Sequence, residues 1–148
     1  MILSDRDIKR EITKGNISIE PFNVKNLTSN GYDLTIGEIY VDGELKEEAE
    51  ILPLKWFAIS TLEYIKLKNV AAQLWLRSSY ARKGVIASFG KVDAGFEGNL
   101  TLPAVATKEK LNLKKGDTFC QIVFEYLSSS PLKPYNGKYK GQRGVKLE

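Results

Sequence analysis

Residues 90–103 read GKVDAGFEGNLTLP. Glycines at 90, 95 and 98 bracket a carboxylate, Asp93, and an aromatic ring, Phe96, between two short apolar runs. Glycine supplies positive φ and lets other groups approach the backbone closely. The spacing therefore predicts a hairpin whose amides and carbonyls can press against a flat ligand, with Asp93 facing it. The same punctuation continues in both directions. Turn signals SNG (29–31), DGE (42–44) and KKGD (114–117) separate runs rich in β-branched and aromatic residues. These runs are ISI (17–19), YDLTIG, EIYVDG, WFAIST, EYIKLK, AAQLWL, GVIASF, NLTLPAVAT and TFCQIVFEYL. Many short strands at such intervals indicate a mainly β fold, an antiparallel barrel or jelly roll. One helix precedes them. In SDRDIKREITKG, Ser4 is a capping residue, Asp5 and Asp7 sit in the first turn, and Ile8 and Ile12 are four apart before Gly15.

A chain of 148 residues fits one domain, 1–148, in which only 128–148, with Pro131, Pro134 and three glycines, reads as a loop-like tail. No apolar run approaches the roughly 20 residues of a membrane-spanning helix. The charged opening MILSDRDIKR has no apolar core of a secretory signal, so the expected location is the cytoplasm. The net charge of +4 suits a phosphate-bearing ligand or simply a soluble surface.

There is no histidine and one cysteine, Cys120. An intramolecular disulfide, a Ser-His-Asp triad, a histidine general base, a zincin helix and a zinc-deaminase site are all excluded. Acid–base work falls to a carboxylate, lysine, tyrosine or bound water. Asp93 is such a carboxylate, usable for orienting a water for in-line attack. The densest polar cluster is LRSSYARKG (76–84), where Arg77, Arg82 and Lys83 lie among hydroxyls between two apolar runs. Backbone amides and guanidinium forks there can converge on phosphate oxygens, or the segment is a solvated basic turn. The tail PYNGKYKGQRG interleaves Tyr135 and Tyr139 with Lys138, Lys140 and Arg143, a composition suited to a lid over an anionic ligand. Its basic and aromatic residues are confined to one short segment, which does not favour a nucleic-acid groove.

These three segments, together with NGYDL (30–34) and in this order, resemble the trimeric dUTPase and dCTP deaminase superfamily over nearly the whole chain. MILSDRDIKREI, FAISTLEYIKL and RSSYARKG are most similar to the deaminase and bifunctional deaminase-diphosphatase branch. NGYDL, VDAGFEGN and CQIVFEYL resemble the first, third and fourth dUTPase motifs. The resemblance implies a distorted jelly roll of the dUTPase β-clip type, a homotrimer with sites at subunit interfaces, and a nucleoside triphosphate bound with Mg2+, held mainly by the triphosphate. It places Asp93 as the residue activating water and Phe96 against the deoxyribose, in a hairpin including Gly90 whose backbone reads the pyrimidine. Arg77, Ser78, Ser79 and Arg82 match the phosphate-binding motif, Gln121 the glutamine of the fourth motif and Asp33 the aspartate of the first. Tyr135, Lys138 and Gln142 match C-terminal residues that close over the triphosphate.

Two departures bear on activity. Where the deaminases carry a proton-shuttling glutamate, this chain reads LTLPA, with Pro103 in that place. Proline has no ionisable group and no N–H, so it cannot replace that carboxylate. Proton shuttling contributes about 10² to 10⁴ in rate, and deamination should be lost with it. The expected reaction is hydrolysis of deoxyuridine triphosphate to dUMP and pyrophosphate, with dCTP deamination or silent deoxynucleotide binding as alternatives. The ending GQRGVKLE lacks the glycine-rich tail of simple dUTPases, which leaves closure of the lid an open expectation.

Overall fold

The computed structural model describes residues 1–148. Helix α1 (Asp5–Thr13) starts where Ser4 caps it, its hydroxyl accepting from the Asp7 amide at 3.3 Å, and the chain leaves it through Gly15 at φ +76°. Its inner face is Ile8 and, unexpectedly, Glu11, which is only 4% exposed, while Ile12 is partly buried. Glu11 accepts from Asn16 Nδ2 at 2.7 Å and from the Tyr126 hydroxyl at 3.0 Å, so the helix is tied to the last strand.

The strands follow in order: β1 (Ile17–Glu20), β2 (Leu27–Thr28, after a 3-10 turn Val24–Asn26), β3 (Gly31–Val41), β4 (Glu44–Lys46), β5 (Glu48–Ile51), β6 (Trp56–Thr61), β7 (Tyr64–Leu67) and β8 (Val70–Leu76). Helix α2 (Ser78–Arg82) is followed by β9 (Val85–Ala87), β10 (Lys91–Val92), β11 (Glu97–Gly98), β12 (Thr101–Ala106), β13 (Leu111–Lys114) and β14 (Thr118–Tyr126). The main sheet runs β10-β8-β14-β3-β6-β12-β9, with β2 and β4 also on β3; smaller sheets are β1-β7-β11 and β13-β5. All strand pairings are antiparallel, and the main sheet curls into a half-barrel around a core built on Phe57, Phe119, Phe124, Tyr32, Leu34 and Ile59.

Expectation and structure part in several places. YDLTIG and EIYVDG are one strand, β3, with an irregularity between Ile36 and Glu38. It shifts the buried positions from Tyr32, Leu34 and Ile36 to Ile39 and Val41, which leaves both Asp33 and Glu38 on the less buried face. The basic segment after β8 is a short helix and not a turn. Residues 90–98 are not a hairpin: Lys91–Val92 pairs with β8, and Glu97–Gly98 pairs with β7. The turn that carries Asp93 passes the chain from one sheet to another. Pro103 lies in β12, which runs between β6 and β9. It pairs with Ala58 of β6, while β9 ends at Ala87 opposite Ala104, so β12 has a neighbour on one side only at the proline. Tail residues 128–148 form no strand or helix, apart from a parallel bridge between Gln142 and Gly98. No helix is long and apolar enough to cross a membrane.

The Glu11 carboxyl is held below its ordinary value of 4.5, mainly by the hydrogen bond from Asn16, against the effect of burial. A depressed folded value stabilises the fold above the ordinary value, and that stability is lost as pH falls through the folded value. Glu11→Gln therefore lowers the melting temperature at neutral pH, and the difference from the parent narrows below pH 4.5, as thermal melts across pH will show.

Candidate functional site

The turn between β10 and β11 sets one wall of a cavity of about 510 Å³, a size suited to a small-molecule ligand. Its walls are largely apolar and aromatic: Trp56, Phe89, Phe96, Leu100, Pro103 and Tyr135. Its polar groups include Asp93, Lys91 and, from the tail, Gln142 and Lys146. The Asp93 side chain is 48% exposed and its Oδ1 lies 2.6 Å from Lys91 Nζ. Phe96, 6% exposed, packs on Tyr135 with ring centroids 5.8 Å apart. The turn is shaped by Phe96 N–H donating to Asp93 O (3.1 Å) and Gly95 N–H donating to Leu67 O (2.8 Å). Gly95 adopts φ +96°, and a Cβ there would lie 2.7 Å from the Tyr135 nitrogen, so only glycine admits the tail at this point. The Tyr135 N–H in turn donates to Ala94 O at 2.8 Å. Asp93, Phe96, Tyr135 and Gln142 thus share one cavity with Pro103.

The other expected residues gather elsewhere. Arg77 lies at the start of α2, its Nε 3.5 Å from Asp33 Oδ2 and its Nη1 donating to Thr118 Oγ1. Gln121 donates to Asp33 Oδ1 and to Thr28 Oγ1, both at 3.3 Å. Asp33 therefore orients a guanidinium and an amide together. Arg77 and Ser79, with Tyr80, Lys83, Asn112 and Thr118, line a second, polar hollow of about 230 Å³ that shares no residue with the first. Ser78 and Arg82 are exposed on α2. Lys138 is exposed, its ammonium 5.6 Å from the Tyr139 ring centre, and does not line the Asp93 cavity. Gly90, at φ +80°, borders a third, apolar groove beside Trp75 and Ile86.

Several residues that line or support the cavity carried no signal of their own. Lys91, Asn99 and Lys146 belong to none of the matched site residues. Glu63 is 2% exposed; burial pushes its carboxyl up, against the Thr35 amide and hydroxyl that donate to it at 2.9 and 2.8 Å. Nothing in STLEYIK beyond its strand-rich surroundings marks Glu63 as a buried acid.

A family model described as dCTP deaminase-like matches residues 41–127. The chain belongs to this family. It is 42% identical to the "Probable deoxyuridine 5'-triphosphate nucleotidohydrolase" of Sulfolobus islandicus rod-shaped virus 1, over 99% of this chain and 98% of that one. It is 43% identical to the dCTP deaminase of Pyrococcus horikoshii, over 95% of this chain and 92% of that one. Among solved structures, 2'-deoxycytidine 5'-triphosphate deaminase from Agrobacterium tumefaciens superposes with a TM-score of 0.71 at 18% identity; the match covers 84% of this chain and about half, 48%, of that longer one. The dUTPase of Staphylococcus bacteriophage 80alpha gives a TM-score of 0.58 at 17% identity, over 84% of this chain and 98% of that one. Relatives of both names are thus similar to this chain in sequence, and solved structures of both names share its fold, the β half-barrel described above.

Proposed function

We propose that this family member is a dUTP diphosphatase, cleaving dUTP to dUMP and pyrophosphate. The observation that carries the reading is Pro103. It stands on the wall of the cavity that holds Asp93 and Phe96, and that cavity offers no second carboxylate. One aspartate can orient a water for attack at phosphorus. Deamination of a cytosine ring needs a further group to move protons to and from the base, and Pro103 supplies none at the position where the resemblance puts the deaminases' glutamate.

In this reading the apolar walls take the base and sugar, with Phe96 against the deoxyribose, and Asp93 accepts a hydrogen bond from the attacking water. Arg77, Ser78, Ser79 and Arg82 stabilise the phosphates, Arg77 being held in place by Asp33 beside Gln121. Tyr135, Lys138 and Gln142 close over the triphosphate. Magnesium would be held mainly on the triphosphate oxygens and completed by water, with Asp93 the one carboxylate that lines the cavity. Magnesium bound in that way supplies charge neutralisation on the phosphates.

The Asp93 cavity and the Arg77 hollow are separate within one chain, which favours a site completed by a second copy. Trp75 (59% exposed) and Ile86 (65%) flank an apolar groove that such a copy would cover in a homotrimer. Three copies of 16.6 kDa predict a particle of about 50 kDa in light scattering; a particle of monomer mass would contradict the arrangement.

Incubating the protein with magnesium and either dUTP or dCTP, and resolving the products, tests the reaction. The expected result is dUMP from dUTP and no change in dCTP. The second reading, dCTP deamination, is favoured by the archaeal relatives of that name. Ammonia released from dCTP would establish it and overturn the argument from Pro103.

A further inference from the structure

We propose that Glu38, Asn99 and Thr101 are positioning residues that latch the C-terminal segment against the Asp93 cavity. Three consecutive backbone N–H groups of the tail are each caught by a side chain of the barrel. Gly144 N–H donates to Asn99 Oδ1 at 3.1 Å, Val145 N–H to Glu38 Oε2 at 3.1 Å, and Lys146 N–H to Thr101 Oγ1 at 2.9 Å. Just upstream, Gly141 N–H donates to Glu97 O (2.7 Å), Asn99 N–H to Gln142 O (2.9 Å), and Gln142 Nε2 to Asn99 O (2.6 Å). The Arg143 guanidinium lies 3.8 Å from the centre of the Tyr64 ring.

Asn99 and Glu38 are themselves held in place, and Thr101 sits in β12 opposite Ser60 of β6. Asn99 is 8% exposed and its Nδ2 donates to the carbonyls of Thr61, Leu62 and Glu63 at 3.1, 3.4 and 3.0 Å. Only the NH₂ end can face those carbonyls, so Oδ1 must face the tail. The Glu38 backbone N–H donates to Ser60 Oγ at 3.1 Å, and the irregularity in β3 leaves its carboxylate on the less buried face. Gly144 has φ +61°, and a Cβ there would lie 2.5 Å from Glu38 Oε2. A segment rich in glycine and lysine has little apolar surface to bury, and without such a latch it would fray into solvent.

What the latch delivers is part of the cavity wall. Gln142, Lys146 and Leu147 line it together with Asp93, Phe96 and Pro103. Gln142 Oε1 is buried with no partner, an acceptor for an N–H or O–H of the occupant. Lys146 makes no ion pair and is a free donor. The inference rests on the reading that this cavity takes a deoxyuridine nucleotide, and it assigns part of that nucleotide's grip to residues outside the expected site.

Amide hydrogen exchange and calorimetric binding of dUpNHpp, on the full chain, test it with Gly144→Ala, Glu38→Ala, Thr101→Val and Glu38→Gln. Gly144→Ala lies outside every strand and leaves the barrel folded. In the first three variants, exchange at residues 144–146 rises at least about tenfold and dUpNHpp binds about tenfold more weakly, the loss of one well-made hydrogen bond. Strands β3 and β12 keep their protection. Glu38→Gln retains an acceptor and restores both properties. Unchanged exchange at 144–146 in Gly144→Ala and Glu38→Ala overturns the latch. Faster exchange with unaltered dUpNHpp affinity also overturns it, and leaves the functional reading intact if the parent hydrolyses dUTP. A parent that binds dUpNHpp through the latch yet never hydrolyses dUTP sinks the diphosphatase reading alone.

Discussion

Asp93→Asn lowers kcat for dUTP hydrolysis by about 10² to 10⁴ and leaves the melting temperature nearly unchanged. Under the proposed reading, the rate effect follows from removing the carboxylate assigned to the attacking water; an amide of the same shape cannot take a proton from it. The stability effect is small because the side chain is half exposed and its partner Lys91 is 73% exposed, where an ion pair contributes at most about 1 kcal/mol. Backbone bonds from Phe96 N–H to Asp93 O and from Gly95 N–H to Leu67 O shape the turn and do not involve the carboxylate. Steady-state rates with a thermal melt as control measure both quantities. An unaltered kcat would remove Asp93 from the role given to it.

Phe119→Ala destabilises the fold by about 3–5 kcal/mol, most of the reserve of a small domain. Phe119 is fully buried at the start of β14. Its ring meets Phe57 of β6 at 6.1 Å, Tyr80 of α2 at 5.0 Å and Phe89 at 6.1 Å between centroids. The second of these seats the short helix that presents Ser78, Ser79 and Arg82. The third holds the segment leading into the Asp93 turn. Neither the five residues of α2 nor the two of β10 can hold their geometry unaided, so the loss is expected to reach both hollows. Urea unfolding supplies the number, and a loss below about 1 kcal/mol would show that these rings do not share one packing unit.

Much of this is legible in the sequence alone. The capping serine, the acidic first turn and Gly15 bound α1 where expected, and the alternating runs became β6, β8, β12 and β14. The glycines at 90, 95 and 98 do take positive φ. What stayed hidden has physical reasons. The pairing of β5 with β13 rests on Ala49 and Ile51 meeting Leu113 and Leu111, two apolar contacts inside a run of charge too short to show a period. The Asp93 turn looked like a hairpin because local spacing cannot tell which strand its arms will join. The hydrogen bonds from Val145 to Glu38 and from Lys146 to Thr101 span 107 and 45 residues, and a backbone N–H carries no side-chain signature to give them away. The residues gathered around Asp93 and around Arg77 were named from motifs, yet their division between two hollows emerges only from the sheet order.

Cys120 is fully buried in β14, and burial pushes its thiol up to about 12. It is the sole sulfhydryl, and as a neutral thiol sealed in the interior it is a poor target for maleimides, alkyl halides and mild oxidants. A cysteine introduced at an exposed tail position such as Lys140 would then be the single reactive handle on the molecule. A fluorophore attached there would report on the surroundings of residues 141–146, with no need to strip a competing label site from the parent.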